Sequence, residues 1–174
     1  RRGALVAIEP STGQVLAVVS APTYDGNQFV DGISEVAWKE LNESKNRPLF
    51  NRALQGAYPP GSTYKPFMAL AALHSGARAR DEVIRDGGVY LLGSHRYRDS
   101  TGGRGHGMVN MFTSIAVSSD VYYYSLAHKM GVDLMHQEIS RFGFGQKTGI
   151  DLLGETEGLL PSSEWYKKKT GKDW

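Results

Sequence analysis

The chain has 174 residues, with 20 Lys and Arg against 18 Asp and Glu and no cysteine. That length supports one domain with a real core. The net charge of +2 is too small to argue for nucleic acid, and no basic stripe with interleaved aromatics accompanies it. Without cysteine there is no disulfide scaffold, no thiolate nucleophile and no Cys-containing zinc site.

Ala4 to Ile8 is apolar, Pro10 to Gly13 is a turn cluster, and Val15 to Val19 is apolar again. This pattern predicts a β-hairpin. Neither run alternates, so both strands are expected to be covered on both faces. Val15 to Val19 is also far too short to span a membrane. The chain opens at Arg1 without Met or a signal peptide, and reads as a piece of a longer protein. Ser34 to Ser44 predicts a short helix with Ser34 as N-cap. Gly56 to Gly61 breaks the chain. Thr63 to Ser75 then predicts a buried helix, because Phe67, Met68 and Leu70 to Leu73 leave almost no polar face; Gly76 closes it. Arg78 to Gly107 reads as an irregular excursion, with short strands at most around Val89 to Leu92. Asn110 to Val117 and Val121 to Met130 predict two helical pieces, the second ended by Gly131. Asp133 is positioned to cap a further helix reaching Arg141. From Gln146 onward the chain is turn-rich.

Ser62 stands where the chain passes from Pro59-Pro60-Gly61 into the buried helix. The first amides of a helix lack internal partners, and the dipole leaves positive charge there, so an oxyanion is stabilised at that place. Lys65 lies three residues on, on the same face, within reach of the serine oxygen. Burial disfavours its ammonium form. A neutral amine beside a hydroxyl is a general base beside a nucleophile. The alternative is a simple serine cap, although a lysine on so apolar a face wants an explanation.

Fifty-six residues after Ser62 comes Ser118-Ser119-Asp120, between two helical pieces. By itself this is a helix cap; with Ser-x-x-Lys it matches part of the Ser-x-x-Lys, Ser-Asp-Asn, Lys-Thr-Gly set of penicillin-recognising enzymes. The stretches "NRALQGAYPPGSTYKPF", "GHG", "SSDVYYYSLAHKMGVD" and "FGFGQKTGIDLLGE" resemble the transpeptidase domain of class B penicillin-binding proteins, most of all the elongation type known as penicillin-binding protein 2.

The resemblance implies an α+β penicillin-binding and β-lactamase-like fold: an antiparallel sheet with helices packed around it, present here as an N-terminal portion of one transpeptidase domain. It implies that Ser62 is the acylated nucleophile, Lys65 its base and Ser118 a proton relay. Asp120 stands where many relatives carry Asn; it keeps an acceptor and lacks the amide donor. The implied activity is peptidoglycan cross-linking in cell elongation, on stem peptides ending in D-Ala-D-Ala, with β-lactams as mimics of the donor. The implied place is the periplasmic face of the bacterial inner membrane. An elongation glycosyltransferase and scaffold proteins are the implied partners, and the anchor, a non-catalytic N-terminal domain and the C-terminal remainder lie outside the chain. Rival readings are a D,D-carboxypeptidase, a serine β-lactamase, or a non-catalytic penicillin-recognising sensor.

Lys147-Thr148-Gly149 and Lys169-Thr170-Gly171 both spell the third motif. Neither follows an apolar run able to form a buried strand, and both read as surface turns. Asp86, Asp99 and His106 have side chains that suit zinc. The resemblance implies a zinc site in this region, since some relatives of the elongation type bind zinc there with a cysteine as fourth ligand; Ser119 falls at that place here, so loop hydrogen bonding is the competing role. No cofactor is required for the serine chemistry. Tyr122 to Tyr124 are expected to contribute at least two core rings, Trp38 to pack, and Arg52 to form a structural ion pair.

Overall fold

The computed structural model describes residues 1–174. The chain is mixed α and β, with three two-stranded antiparallel sheets and six α-helices in two compact units.

The first unit comprises Arg1–Tyr58 and Gly149–Thr156. Strands β1 (Gly3–Ile8) and β2 (Val15–Ala21) form the expected hairpin, with a register shift at Ala7/Ile8. Within residues 1–174 nothing covers both of its faces. Leu5, Val6, Ile8, Leu16 and Val19 are all exposed. Helix α1 (Glu35–Glu43) starts where predicted, and Ser34 Oγ accepts from Ala37 N–H. Trp38 packs edge-on against Phe29. Helix α2 (Arg52–Gln55) is tied to β2 through Ser20 Oγ, which accepts from Arg52 N–H at 2.9 Å. The buried Arg52 guanidinium forms no ion pair; it donates to the carbonyls of Asn46, Arg47 and Phe50, where the 46–50 loop turns back on itself.

The second unit comprises Pro59–Thr148 and Glu157–Trp174. Its core is built on helix α3 (Lys65–Ser75), entered through a 3-10 turn over Gly61–Tyr64 and closed by Gly76 in the left-handed region. Met68, Ala69, Ala71 and Ala72 are buried, while Leu70 and Leu73 are exposed within residues 1–174. It packs on helix α5 (Asp120–Ser140), whose Tyr122, Tyr123, Leu126 and Ile139 are buried. Gly131 has non-helical torsions and splits α5 into two helices, as the sequence predicts. Asp133 does not cap the second of these. Its carboxylate accepts from Ser163 N–H and Oγ, holding the start of helix α6 (Ser163–Thr170).

The excursion between α3 and α5 is more ordered than its glycines and charges indicate. Strand β3 (Ile84–Asp86) pairs with β6 (Gly107–Val109), and β4 (Val89–Leu92) pairs with β5 (His95–Arg98). Two backbone segments approach closely at its base. A Cβ on Gly88 would meet Gly103 and Gly105, and one on Gly105 would meet the Asp86 carbonyl and Gly87. Arg78 fixes the start of the excursion by donating to the Tyr122 carbonyl and Ser125 Oγ of α5. Helix α4 (Met111–Ala116) opens with a reciprocal Asn110–Thr113 cap and leads into the second serine motif.

Candidate active site

Ser62 sits in the 3-10 turn, one turn before α3, and no side chain caps that turn. Lys65 is the first residue of α3. It is 8 % exposed, the one lysine in the buried set. Its Nζ lies 5.7 Å from the centroid of the Tyr123 ring and donates to three oxygens: the Ser118 carbonyl at 2.6 Å, Ser118 Oγ at 3.0 Å and Asp120 Oδ1 at 2.6 Å. Three acceptors match the three donors of a lysine amine.

The contact between Lys65 and Ser62 expected from helical spacing is not direct. Ser118 Oγ stands between them, 2.9 Å from Ser62 Oγ. A hydrogen-bonded chain therefore links Ser62, Ser118 and Lys65, and Asp120 supplies a carboxylate beside the amine. No local pattern in the Ser-x-x-Lys stretch shows either of these long-range contacts.

The backbone at Ser118 explains how this comes about. Ser118 N–H donates to the Ile115 carbonyl and Ser119 N–H to the Ser114 carbonyl, the paired bonds of a Schellman helix end. The residue at the centre of that motif is normally glycine, because it takes positive φ. Ser118 has φ 55°. A serine there costs roughly 1 kcal/mol of backbone strain. The very next residue begins a new helix: Ser119 Oγ accepts from Tyr122 N–H as the N-cap of α5. The junction is so tight that the Ser118 carbonyl and hydroxyl both face Lys65.

The structure also gathers Asp86, Asp99 and His106, whose ligand atoms all lie within 4.8 Å of one another. Asp86 accepts from Gly88 N–H and from Ser119 Oγ, the latter at 2.6 Å. Asp99 accepts from Asp120 N–H at 2.7 Å, from Thr101 N–H and from Ser100 Oγ, and lies 3.3 Å from His106 Nε2. Burial pushes the Asp99 carboxyl up, but the bonds from Asp120 and Thr101 amides, the His106 ring and the Ser100 hydroxyl outweigh it and hold the group below its ordinary value. Two carboxylates and an imidazole are zinc-ligand types, and His106 Nε2 is buried without a hydrogen bond. The fourth neighbour is the Ser119 hydroxyl, which is not a usual zinc ligand and is already engaged with Asp86. Three places of a tetrahedral set fit; the fourth does not.

Neither Lys-Thr-Gly triplet lies on a strand. Lys147 to Gly149 is exposed and irregular. Lys169 and Thr170 end α6, with Gly171 as its left-handed cap, so this second triplet is a helix terminus rather than a loop turn. The Ser162 cap and the closing glycine were the signals for that helix. Tyr122 and Tyr123 are core rings, and Tyr124 faces Tyr90 and Tyr97.

Ser62 and Lys65 are joined through Ser118, and the chain belongs to the penicillin binding protein transpeptidase domain family, which it matches over residues 3–172. It is 48 % identical to the peptidoglycan D,D-transpeptidase MrdA of Acinetobacter baumannii, over all of this chain and 26 % of that protein. It superposes on Pseudomonas aeruginosa PBP2, solved with WCK 5153, with a TM-score of 0.93 and 51 % identity, covering 100 % of this chain and 40 % of that one. On Helicobacter pylori PBP2, solved in complex with MreC, the TM-score is 0.94 at 34 % identity, covering 99 % of this chain and 32 % of that one. The chain thus spans about a quarter of the length of the curated relatives it matches. No helix is long and apolar enough to cross a membrane.

Proposed function

We propose that this chain carries the nucleophile half of a peptidoglycan D,D-transpeptidase, and that the observation supporting it is the continuous path Ser62 Oγ to Ser118 Oγ to Lys65 Nζ, with steps of 2.9 and 3.0 Å. With Lys65 in its base form, Ser62 Oγ attacks the carbonyl carbon of the penultimate D-Ala of a stem peptide. The Ser62 proton passes to Ser118 Oγ as the Ser118 proton passes to Lys65 Nζ, and the Asp120 carboxylate balances the ammonium so formed. The uncapped amides at the entry to α3 favour the negative oxygen of the tetrahedral intermediate. Its collapse breaks the peptide bond, and the departing D-Ala nitrogen takes a proton back along the same path. The ester on Ser62 is then attacked by an amine of a second stem, which forms the cross-link and gives its proton to Lys65; as the ester C–O bond breaks, that proton passes through Ser118 to Ser62 Oγ, which frees the serine and restores the base. A β-lactam enters by the first step and leaves an acyl-enzyme.

The third motif of the family is assigned to sequence other than the two triplets in this chain, consistent with coverage of 32 to 40 % of the solved relatives. We assign the protein to the periplasmic face of the inner membrane, among the glycosyltransferase and scaffold proteins of cell elongation, a reading supported by its likeness to MrdA and to PBP2 solved in complex with MreC. The chemistry needs no cofactor. A zinc ion, where bound, would be held by Asp86, Asp99 and His106 and would cross-link the excursion without touching the reacting atoms. The test is labelling of the full-length protein with a fluorescent penicillin. Native protein becomes labelled, and Ser62→Ala does not; equal labelling of both removes Ser62 from its role. Product analysis with stem peptide and acceptor amine separates transfer from hydrolysis.

A further inference from the structure

We infer that Asp86, Asp99 and Ser119 are positioning residues for acylation, holding the second serine motif against Lys65 through hydrogen bonds rather than through a metal. The inference rests on the acylation reading above. Three observations carry it. Ser118 is held in a backbone conformation that serine disfavours, so something must keep it there. The residue after it is fully buried and gives its hydroxyl proton to Asp86 Oδ2 at 2.6 Å, while accepting from Tyr122 N–H. The residue after that gives its backbone N–H to Asp99 Oδ2 at 2.7 Å. Two carboxylates of the excursion, 2 % and 4 % exposed, thus grip two consecutive residues of the motif. Neither grip uses an atom that meets Lys65, which leaves the Ser118 hydroxyl and carbonyl and the Asp120 carboxylate to face it.

Each grip has a separate consequence. The Asp99 bond fixes the first amide of α5 and so sets where Asp120 projects. The Asp86 bond fixes the rotamer of Ser119, which is also the cap of α5. Loss of either lets Ser118 relax and lengthens the Ser62–Ser118–Lys65 path, with no change in the groups that contact substrate.

The test uses full-length protein treated with chelator, and a chromogenic β-lactam whose acylation rate constant and binding constant are resolved separately. Rates are expressed per active site titrated with fluorescent penicillin, so that misfolded molecules do not count. Ser119→Ala is expected to slow acylation about tenfold with binding unchanged within twofold. Asp99→Ala is expected to slow it further, and Asp99→Asn less than Asp99→Ala, because the amide keeps an acceptor for the Asp120 N–H. Native rates per titrated site in Ser119→Ala and Asp99→Ala would overturn the inference while leaving Ser62 labelling intact. Loss of native activity on chelation, or recovery of Ser119→Ala on adding zinc, would also overturn it, since an ion would then be holding the loop. Failure of native protein to label at all would instead sink the acylation reading beneath it.

Discussion

The two serines of the site are held in opposite ways. Ser62 lies in a relaxed helical turn that its own neighbours build: Pro59, Pro60 and Gly61 stop the preceding chain, and Pro66 fits the first turn of α3. Ser118 lies in a glycine conformation at a helix end, and side chains from the excursion surround the two residues that follow it. As the proposed nucleophile, Ser62 needs only a defined helix entry. As the proposed relay, Ser118 must meet both Ser62 and the Lys65 amine, and its positive-φ backbone is where it does so.

That contrast can be broken most severely at Lys65. Lys65→Ala should lower the acylation rate about a thousandfold, measured with a chromogenic β-lactam, because the base at the end of the path is gone. Ser118→Gly separates hydroxyl from backbone. Glycine keeps the helix end and the carbonyl that faces Lys65, so the melting temperature should hold or rise while acylation falls about a hundredfold. Equal loss of stability and rate would mean that the strained turn, not the relay hydroxyl, matters there. Asn110→Ala removes a purely local device, the cap of α4. It should cost about 1 kcal/mol in denaturant unfolding and leave acylation within twofold, if distant residues set the second motif. The smallest effect is expected at Asp133, far from either serine. The Ser163 hydroxyl and amide, and more weakly His136, hold its carboxyl below the ordinary value. A depressed carboxyl stabilises the fold above its ordinary range near 4 and ceases to do so as pH falls through the lowered value. Hydrogen exchange in α6 should therefore quicken over that acidic window, and Asp133→Asn should flatten the response.

Local chemistry made much of this molecule legible. The hairpin, the Ser34 cap, the closing Gly76 and the break at Gly131 were all readable, because each is decided by residues adjacent in sequence. Ser62, Lys65, Ser118 and Asp120 were found from motif spacing, and Asp86, Asp99 and His106 through family likeness. What stayed hidden was tertiary. The bridge by Ser118 spans 56 residues, and the pairing of Lys65 with Asp120 spans 55. The β5 strand, His95–Arg98, carries three basic side chains and one ring, a composition that gives no strand signal without its partner β4. Helix α6 was obscured by its lysine run, although Ser162 and Gly171 mark both ends. Asp133 resembled a cap by position, and the competing hydroxyl of Ser163 lay 30 residues away.

The close backbone crossing at Gly88 and Gly105 makes the proposed site vulnerable through two residues that supply none of its side chains. A single methyl at either position would pry apart the backbone segments beside the two gripping acids, Asp86 at the end of β3 and Asp99, whose N–H donates to the Gly88 carbonyl. If the acylation reading proposed above holds, such a change would dull reactivity toward penicillins and toward stem peptides together, so resistance gained by that route would come at the expense of wall growth itself.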